Sequence, residues 1–161
     1  MESSVSQIEA VIGAWLKDGR TYYVKRSPEM RNYPNTWSLL SIQFTKEEFP
    51  DFTDLQAAQR VMNRMAEERL GGVPVKLVRY VKSSRCSDNP MHVPVTLHMY
   101  EIELEGEPKL NPRYYVDSGW FTPEEYRKAS ENATCGLCMR MWSDYCYQSG
   151  LSKVRFAAPV R

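Results

Sequence analysis

The strongest structural signal in the chain is TDLQAAQRVMNRMAEERLG, residues 53–71. Apolar side chains recur in it at intervals of three and four residues, which is the period of an amphipathic helix. The predicted apolar stripe consists of Leu55, Ala58, Met62 and Met65. We therefore expect one helix here that packs this stripe against the core.

Both ends of the helix carry recognisable boundary signals. Thr53 and Gln56 have the spacing of a capping box, which predicts that the helix begins at Asp54. Gly71 can take a positive φ and end the helix. The stretch predicts a helix that starts and stops within these bounds.

Segments rich in strand-forming residues lie on both sides of the helix. The predicted strands cover residues 10–16, 21–26, 36–44, 73–81, 93–104 and 114–121. Asp18-Gly19 favours a two-residue hairpin turn between the first two strands, and loops are predicted at 27–35 and 82–92. With a C-terminal helix at 136–150, these elements predict one α/β (α+β) domain over residues 1–161, with a mixed β-sheet.

Composition narrows the class of protein. The chain has 21 Lys and Arg against 20 Asp and Glu, and this net charge of +1 leaves no electrostatic footprint for nucleic acid. No apolar run approaches the ~20 residues that a membrane span needs. The N-terminal MESSVSQIEAV lacks the pattern of a secretory signal, so a cytoplasmic location is expected.

The four cysteines leave two interpretations open. Cys135 and Cys138 have the two-residue gap of a zinc or redox pair, but no second close pair completes a four-ligand site. They also lie in the C-terminal helical pattern, where free cysteine commonly packs as a small apolar group. We expect buried structural thiols, and zinc binding is the alternative.

Four segments, one of which is the helix described above, resemble motifs of the Nudix hydrolase superfamily with its MutT-like fold and follow the same order. They are Trp15 to Ser27, Tyr33-Pro-Asn-Thr-Trp-Ser-Leu39, the helix with Ala57-Ala58-x-Arg60 and Glu67-Glu68-x-x-Gly71, and Gly119-Trp-Phe-Thr-Pro-Glu-Glu125. The resemblance covers roughly residues 10–126. It implies an α/β/α sandwich with a mixed β-sheet.

The helix departs from the family's diagnostic box, which places a Gly, a Glu, an Arg-Glu pair and a Glu-Glu pair at fixed spacing before a final Gly. Three registers fit in part, because Arg60 and Arg64 both match the box arginine. The register set by Gly71 keeps Glu68 but puts Met65 and Arg69 at glutamate positions. The box is therefore degenerate in every register.

What the resemblance implies for the site follows from the chemistry of that box. In active members its glutamates bind Mg²⁺ or Mn²⁺, hard cations that prefer oxygen ligands. Here Glu67 and Glu68 are the metal-ligand candidates, and Glu68 and Glu103 are the catalytic candidates, Glu103 or Glu101 serving as a strand-borne general base. An alternative is that these are solvated surface carboxylates, with Glu68 paired to Arg64 four residues earlier on the helix.

A ligand cleft is predicted from arginine and aromatic residues on or beside the sheet. Arg26, Arg31 and Arg79 could meet phosphate oxygens, and Trp37 and Trp120 offer rings on which a base stacks. The expected ligand is a nucleotide-type small molecule.

Two functions remain open at this stage. One is a Nudix-like hydrolase of a nucleoside-diphosphate-linked compound that uses a divergent divalent-metal site. The other is a catalytically inactive Nudix-fold domain that binds a nucleotide or a protein partner. The resemblance also raises a homodimer, for which the residues themselves give no signal.

Overall fold

The computed structural model describes residues 7–31, 33–86, 93–122, 124–125 and 142. Its elements in chain order are β1 (Ile8–Lys17), β2 (Arg20–Arg26), β3 (Trp37–Ser38), β4 (Leu40–Gln43), α1 (Leu55–Arg69), β5 (Val75–Cys86), β6 (Val95–Leu104) and β7 (Tyr115–Phe121). The helix predicted at 136–150 lies outside the described residues except for Trp142, and so does the Cys135–Cys138 pair. Within the described part of the chain, no helix is long and apolar enough to cross a membrane.

The strands form one mixed sheet, as predicted. Its order is β3-β2-β1-β6-β5, while β4 pairs with β1 and β7 pairs with β2. The β1–β6 pair is parallel, and the other pairs are antiparallel. Strand β1 joins the two halves of the sheet, because Ile8 to Trp15 pair with β6 whereas Leu16 and Lys17 pair with β2.

The predicted hairpin between the first two strands is confirmed. Asp18 and Gly19 have φ values of 52° and 80°, the left-handed backbone that a tight two-residue turn requires. This turn carries the chain from the first half of the sheet into the second.

The predicted third strand, residues 36–44, is wrong as a single element. The chain changes partner at Leu39, so that β3 pairs with β2 while β4 pairs with β1. Leu39 and Leu40 are both fully buried but belong to clusters on opposite faces. An unbroken apolar run gives no sign of such a switch between partners.

The predicted loop at 82–92 is wrong over its first part, since β5 continues through Cys86. Register shifts after Leu77 and after Tyr80 break the alternation of apolar and polar side chains. Beyond them the polar segment still pairs with β6, with Ser83 opposite His98. Residues 87–92 lie outside the described residues.

The predicted helix is confirmed, but its cap and its stripe are shifted. Asp54, not Thr53, is the N-cap, and its side chain accepts hydrogen bonds from the backbone N–H groups of Gln56 and Ala57. Thr53 instead donates its hydroxyl to Asp51 Oδ1 at 2.7 Å, which removes it from the cap. Leu55, expected in the stripe, is 48% exposed. The buried residues of α1 are Ala57, Ala58, Val61, Met62, Met65 and Ala66.

The helix ends just before Gly71, at Arg69 with Leu70 as its C-cap, as the glycine predicted. Gly71 has φ 72°, and a Cβ there would lie 2.7 Å from Lys109 Cβ. The backbone N–H of Gly72 donates to the carbonyl of Ala66 at 2.8 Å, so the last turn is closed by its own chain. Only glycine fits both the backbone conformation and the contact at position 71.

The sheet is covered on both faces. Val11 packs with α1 on one face, while Ala10 and Ile12 of the same strand pack with Trp142 on the other. Trp142 is helical and fully buried, and its Nε1 donates to Thr21 Oγ1 at 3.1 Å. Strand β1 is therefore buried on both sides, as the middle layer of a sandwich requires.

Replacing Asp54 with alanine is expected to lower the free energy of unfolding by about 1 kcal/mol, because two backbone donors lose their acceptor. Urea denaturation of the purified protein measures this loss. Thr53→Ala is the matched control, and we expect a smaller effect from it. Equal losses from the two variants would contradict Asp54 as the cap.

Candidate functional site

Arg64, near the end of α1, connects the helix to the segment that precedes it. Its Nε and Nη2 donate to the two carboxylate oxygens of Glu48 at 2.6 and 2.8 Å. Nη2 also donates to the carbonyl of Gln43 at 2.7 Å, and Nη1 to Glu68 Oε2 at 3.3 Å. The hydrogen bonds to Glu48 raise the pKa of the Arg64 guanidinium. Three oxygen-bearing groups thus converge on one cation that belongs to the chain itself.

The two arginines that match the box arginine differ in their surroundings. Arg60 is exposed on α1, whereas Arg64 is partly buried and ties the helix to the preceding segment. Because the helix also ends just before Gly71, the geometry favours the register in which Arg64 precedes Gly71 by seven residues. In that register Met65, Glu68 and Arg69 stand at the three glutamate positions that follow the box arginine.

At two of these three positions the side chain is held by contacts within the protein. Met65 is fully buried against the core. Arg69 donates its Nη1 to the carbonyl of Ser41 at 2.9 Å and to the hydroxyl of Tyr115 at 3.2 Å. Its guanidinium carbon lies 4.3 Å from the ring centroid of Tyr114. Both side chains therefore point toward the protein rather than toward a bound ion.

Glu67 and Glu68 are both exposed. One Glu68 oxygen is bonded to Arg64 at 3.3 Å. Among the described residues, no group of three His, Cys, Asp or Glu side chains is arranged to hold a metal ion. Since Mg²⁺ prefers about six oxygens in octahedral geometry, two adjacent exposed carboxylates supply only part of a coordination shell.

The predicted general-base candidates lie on the other side of the sheet. Strand β6 alternates, and its residues Ile102 and Leu104 pack in the cluster that contains α1. Glu101 and Glu103 therefore face away from α1. Glu101 is buried and accepts from Arg79 Nε at 2.9 Å, whereas Glu103 is exposed. The structure does not bring Glu68 and Glu103 together.

The two tryptophans predicted to stack on a base lie on opposite faces of the sheet. Trp37 packs edge-on against Phe121, 5.2 Å between ring centroids, on the face of Trp142. Trp120 instead packs 4.7 Å from Trp15 on the face of α1. The two rings cannot sandwich one base.

The predicted phosphate-binding arginines have different surroundings. Arg26 Nε donates to the carbonyl of Tyr33 at 3.2 Å and so supports the loop after β2. Arg31 is exposed in that loop. Arg79 is bonded to Glu101, and its side chain is 40% exposed.

A cavity of about 300 Å³, which the sequence did not reveal, lies on the α1 face of the sheet. Its lining consists of Glu9, Phe44, Lys46, Phe49, Pro50, Phe52 and His98. The ring of Phe52 lies nearly parallel to the imidazole of His98, with an angle of 15° and 4.7 Å between centroids. Four of its seven lining residues are apolar and the other three are Glu9, Lys46 and His98, so aromatic walls and polar groups meet in it.

A chain of hydrogen bonds crosses three strands behind this cavity. The hydroxyl of Tyr80 lies 2.7 Å from Ser83 Oγ, which lies 2.6 Å from His98 Nδ1. His98 Nε2 lies 3.2 Å from Glu9 Oε1. One sequence signal could have pointed here, because His98 is a polar residue between Leu97 and Met99 in a buried strand.

Comparisons with known proteins find likeness in structure alone. No protein-family model matches the chain, and no curated protein matches it in sequence. The MutT protein from Methanosarcina mazei Go1 superposes with a TM-score of 0.70 at 12% identity, covering 92% of this chain and 99% of that protein. A Nudix hydrolase from Nitrosomonas europaea gives 0.68 at 14% identity, with 90% of each chain covered.

An ADP-ribose pyrophosphatase from Streptococcus suis gives a TM-score of 0.58 at 14% identity, covering 91% of this chain and 93% of that protein. Each of the three superpositions takes in at least nine-tenths of both chains. This chain has the Nudix fold, as the order of its motifs predicted.

Proposed function

We propose that this protein is a Nudix-fold domain that binds a nucleotide-type molecule without efficient metal-dependent hydrolysis. The observation that carries the proposal is the last part of α1. Met65 is fully buried and Arg69 is held by Ser41 and Tyr115, which leaves Glu68 at the glutamate positions of the favoured register. Glu68 is itself bonded to Arg64.

The electrostatics of this region support the same proposal. Metal-dependent hydrolysis of a diphosphate needs carboxylates whose oxygens are available to the ion. Around α1 the carboxylate of Glu48 accepts two hydrogen bonds from Arg64, and Glu68 accepts a third. A metal ion would have to compete with a guanidinium fixed by four contacts.

The ligand class rests on likeness of fold and on cations near the sheet. The neighbouring structure from Streptococcus suis is an ADP-ribose pyrophosphatase, a protein that acts on a nucleotide. In this chain the side chain of Arg79 is 40% exposed beside Glu101, where it could contact a phosphate on the face of Trp37. Arg26, Arg31 and Trp120 remain candidates for contacts at the edges of such a site.

A second candidate function is hydrolysis with Mg²⁺ or Mn²⁺ at Glu67 and Glu68. The observation in its favour is that both carboxylates are exposed and adjacent at the end of α1, where an ion from solution reaches them. Glu103 would need to act from the other face of the sheet. The homodimer, the cytoplasmic location and the state of the Cys135–Cys138 pair stay predictions.

One experiment separates the two functions. A panel of dinucleotides, nucleotide sugars and nucleoside triphosphates is incubated with the protein in the presence of Mn²⁺, or with EDTA. We expect a member of the panel to raise the melting temperature equally in both conditions, because binding needs no metal. We expect no turnover that depends on Glu68.

The matched variants are Glu68→Gln and, as control, Glu105→Gln in an exposed turn. Mn²⁺-dependent turnover that Glu68→Gln lowers at least about tenfold, while Glu105→Gln does not, would establish the hydrolase instead. Absence of any stabilisation across the panel would count against nucleotide binding altogether.

A further inference from the structure

We propose that the cavity between Glu9, Lys46 and His98 binds a planar heterocyclic base that presents two adjacent N–H donors, as guanine does. The phosphate of the same nucleotide would lie toward Lys46. This inference rests on the proposed nucleotide ligand and adds to it a location and a base preference.

The size and walls of the cavity suit a flat apolar ring. Its volume of about 300 Å³ is at the lower end of the range for small-molecule pockets, so it suits one base and not a whole dinucleotide. Phe44 and Phe49 meet edge to face at 4.9 Å between centroids, and Phe52 closes another side.

The polar edge of the cavity is a carboxylate. The side chain of Glu9 is 17% exposed, and its Oε1 is engaged by His98. Its Oε2 lies 3.5 Å from Gln7 Nε2 and 3.9 Å from Lys46 Nζ, both long for a hydrogen bond. A carboxylate accepts and does not donate, so it selects ligand edges that carry N–H groups.

Among the common bases this selects guanine most strongly. The N1–H and the exocyclic amino group of guanine point the same way and can meet the two oxygens of one carboxylate. Uracil offers one N–H flanked by carbonyl oxygens, which a carboxylate repels. The aromatic walls add no hydrogen bonds of their own, so the carboxylate of Glu9 is the acceptor that would read the N–H edge of the base.

The hydrogen-bonded chain behind the cavity fixes the orientation of Glu9. If Tyr80 donates to Ser83 and Ser83 donates to His98 Nδ1, then Nε2 carries the proton and donates to Glu9 Oε1. Every donor in this chain then has one acceptor. Tyr80, Ser83 and His98 are thus positioning residues for the carboxylate.

One exposed cation, Lys46, lies at the rim of the cavity. The side chain of Lys46 is 73% exposed and lies on the same edge as Glu9. An ammonium on a flexible stem can reach a phosphate outside the pocket. It also disfavours a cationic ligand, which would compete with Lys46 for the Glu9 carboxylate.

The test is isothermal titration of the full chain with GMP, AMP, CMP and UMP in EDTA. We expect GMP to bind most tightly. Glu9→Gln should lower the affinity for GMP at least about fivefold, to a value close to the affinity for UMP, because one oxygen of the acceptor pair becomes a donor. The matched control Glu105→Gln, in an exposed turn, should keep the preference for GMP.

Two further variants separate a binding role from a structural one. Ser83→Ala should also lower the affinity for GMP, but by less than Glu9→Gln does. Lys46→Gln should lower the affinity for GMP but leave the affinity for guanosine unchanged, since guanosine has no phosphate. Lys46 is exposed, so this variant remains informative if circular dichroism shows that Glu9→Gln is unfolded.

The outcomes distinguish this inference from the proposed function. Nucleotide binding with no preference for GMP, or with the preference intact in folded Glu9→Gln, would overturn the assigned site and leave nucleotide binding standing. Tight binding of tetramethylammonium in place of nucleotides would overturn both and identify an aromatic cation site. Loss of GMP binding in Lys46→Gln with equal loss of guanosine would contradict the phosphate contact.

Discussion

A glutamate at position 65, which would restore a carboxylate of the family's box, is expected to destabilise the protein by more than about 3 kcal/mol. Met65 is fully buried in the cluster formed by α1 and the sheet. A charge placed there loses its hydration. Urea denaturation of Met65→Glu at neutral pH measures the effect.

The pH dependence of this variant gives a second readout. Burial disfavours the charged form, so the pKa of the introduced carboxyl is raised in the folded state relative to the unfolded state. The folded protein then binds more protons than the unfolded one between those two pKa values, and stability rises as pH falls through that interval. We expect the difference from wild type to be smaller at pH 5 than at pH 8.

Met65→Leu is the matched control, because it keeps the position apolar at similar volume. It should cost less than about 1.5 kcal/mol and show no added pH dependence. A Met65→Glu variant as stable as Met65→Leu would mean that position 65 reaches solvent. The proposed loss of metal chemistry would then lose its main support.

Replacing Trp142 with alanine is expected to lower the free energy of unfolding by about 3–5 kcal/mol. Trp142 is fully buried on the face of the sheet opposite α1, in a cluster with Tyr23 and Leu39. Removing the indole opens a cavity there and leaves the hydroxyl of Thr21 without its donor. Guanidinium denaturation followed by circular dichroism measures the loss.

Trp142→Phe separates the two contributions. It retains most of the apolar ring but lacks the N–H that donates to Thr21, so we expect a smaller loss than with alanine. The change Trp37→Ala, at a half-buried ring of the same cluster, should cost less than Trp142→Ala. A small effect of Trp142→Ala would contradict the second covered face of the sandwich.

The sequence predicted the helix and the hairpin well because both are encoded locally. The period of α1 and the glycine at position 71 are set within about twenty residues, and the Asp18-Gly19 turn within two. The N-cap was misplaced by one residue, since Thr53 bonds to Asp51 instead. A neighbour two positions away was enough to change the cap.

The candidate site was predicted less well. Glu67 and Glu68 lie where the helical period places them, but the period says nothing about Arg64 reaching Glu48 sixteen residues earlier. Trp37 and Trp120 were grouped by residue type and lie on opposite faces of the sheet. The face of the sheet on which a strand residue lies depends on its place in the alternation of side chains, and bulges shift that alternation.

By itself the sequence determined the helix, the first hairpin and the likeness to the Nudix fold. Only the tertiary structure decided which side chains meet. Glu9, Ser83 and His98 come from three strands, and the His98–Glu9 contact joins residues 89 positions apart. The reason is physical, because local periodicity arises from neighbours a few residues away. The pairing register of β1, β5 and β6, by contrast, is fixed by the packing of the whole sheet.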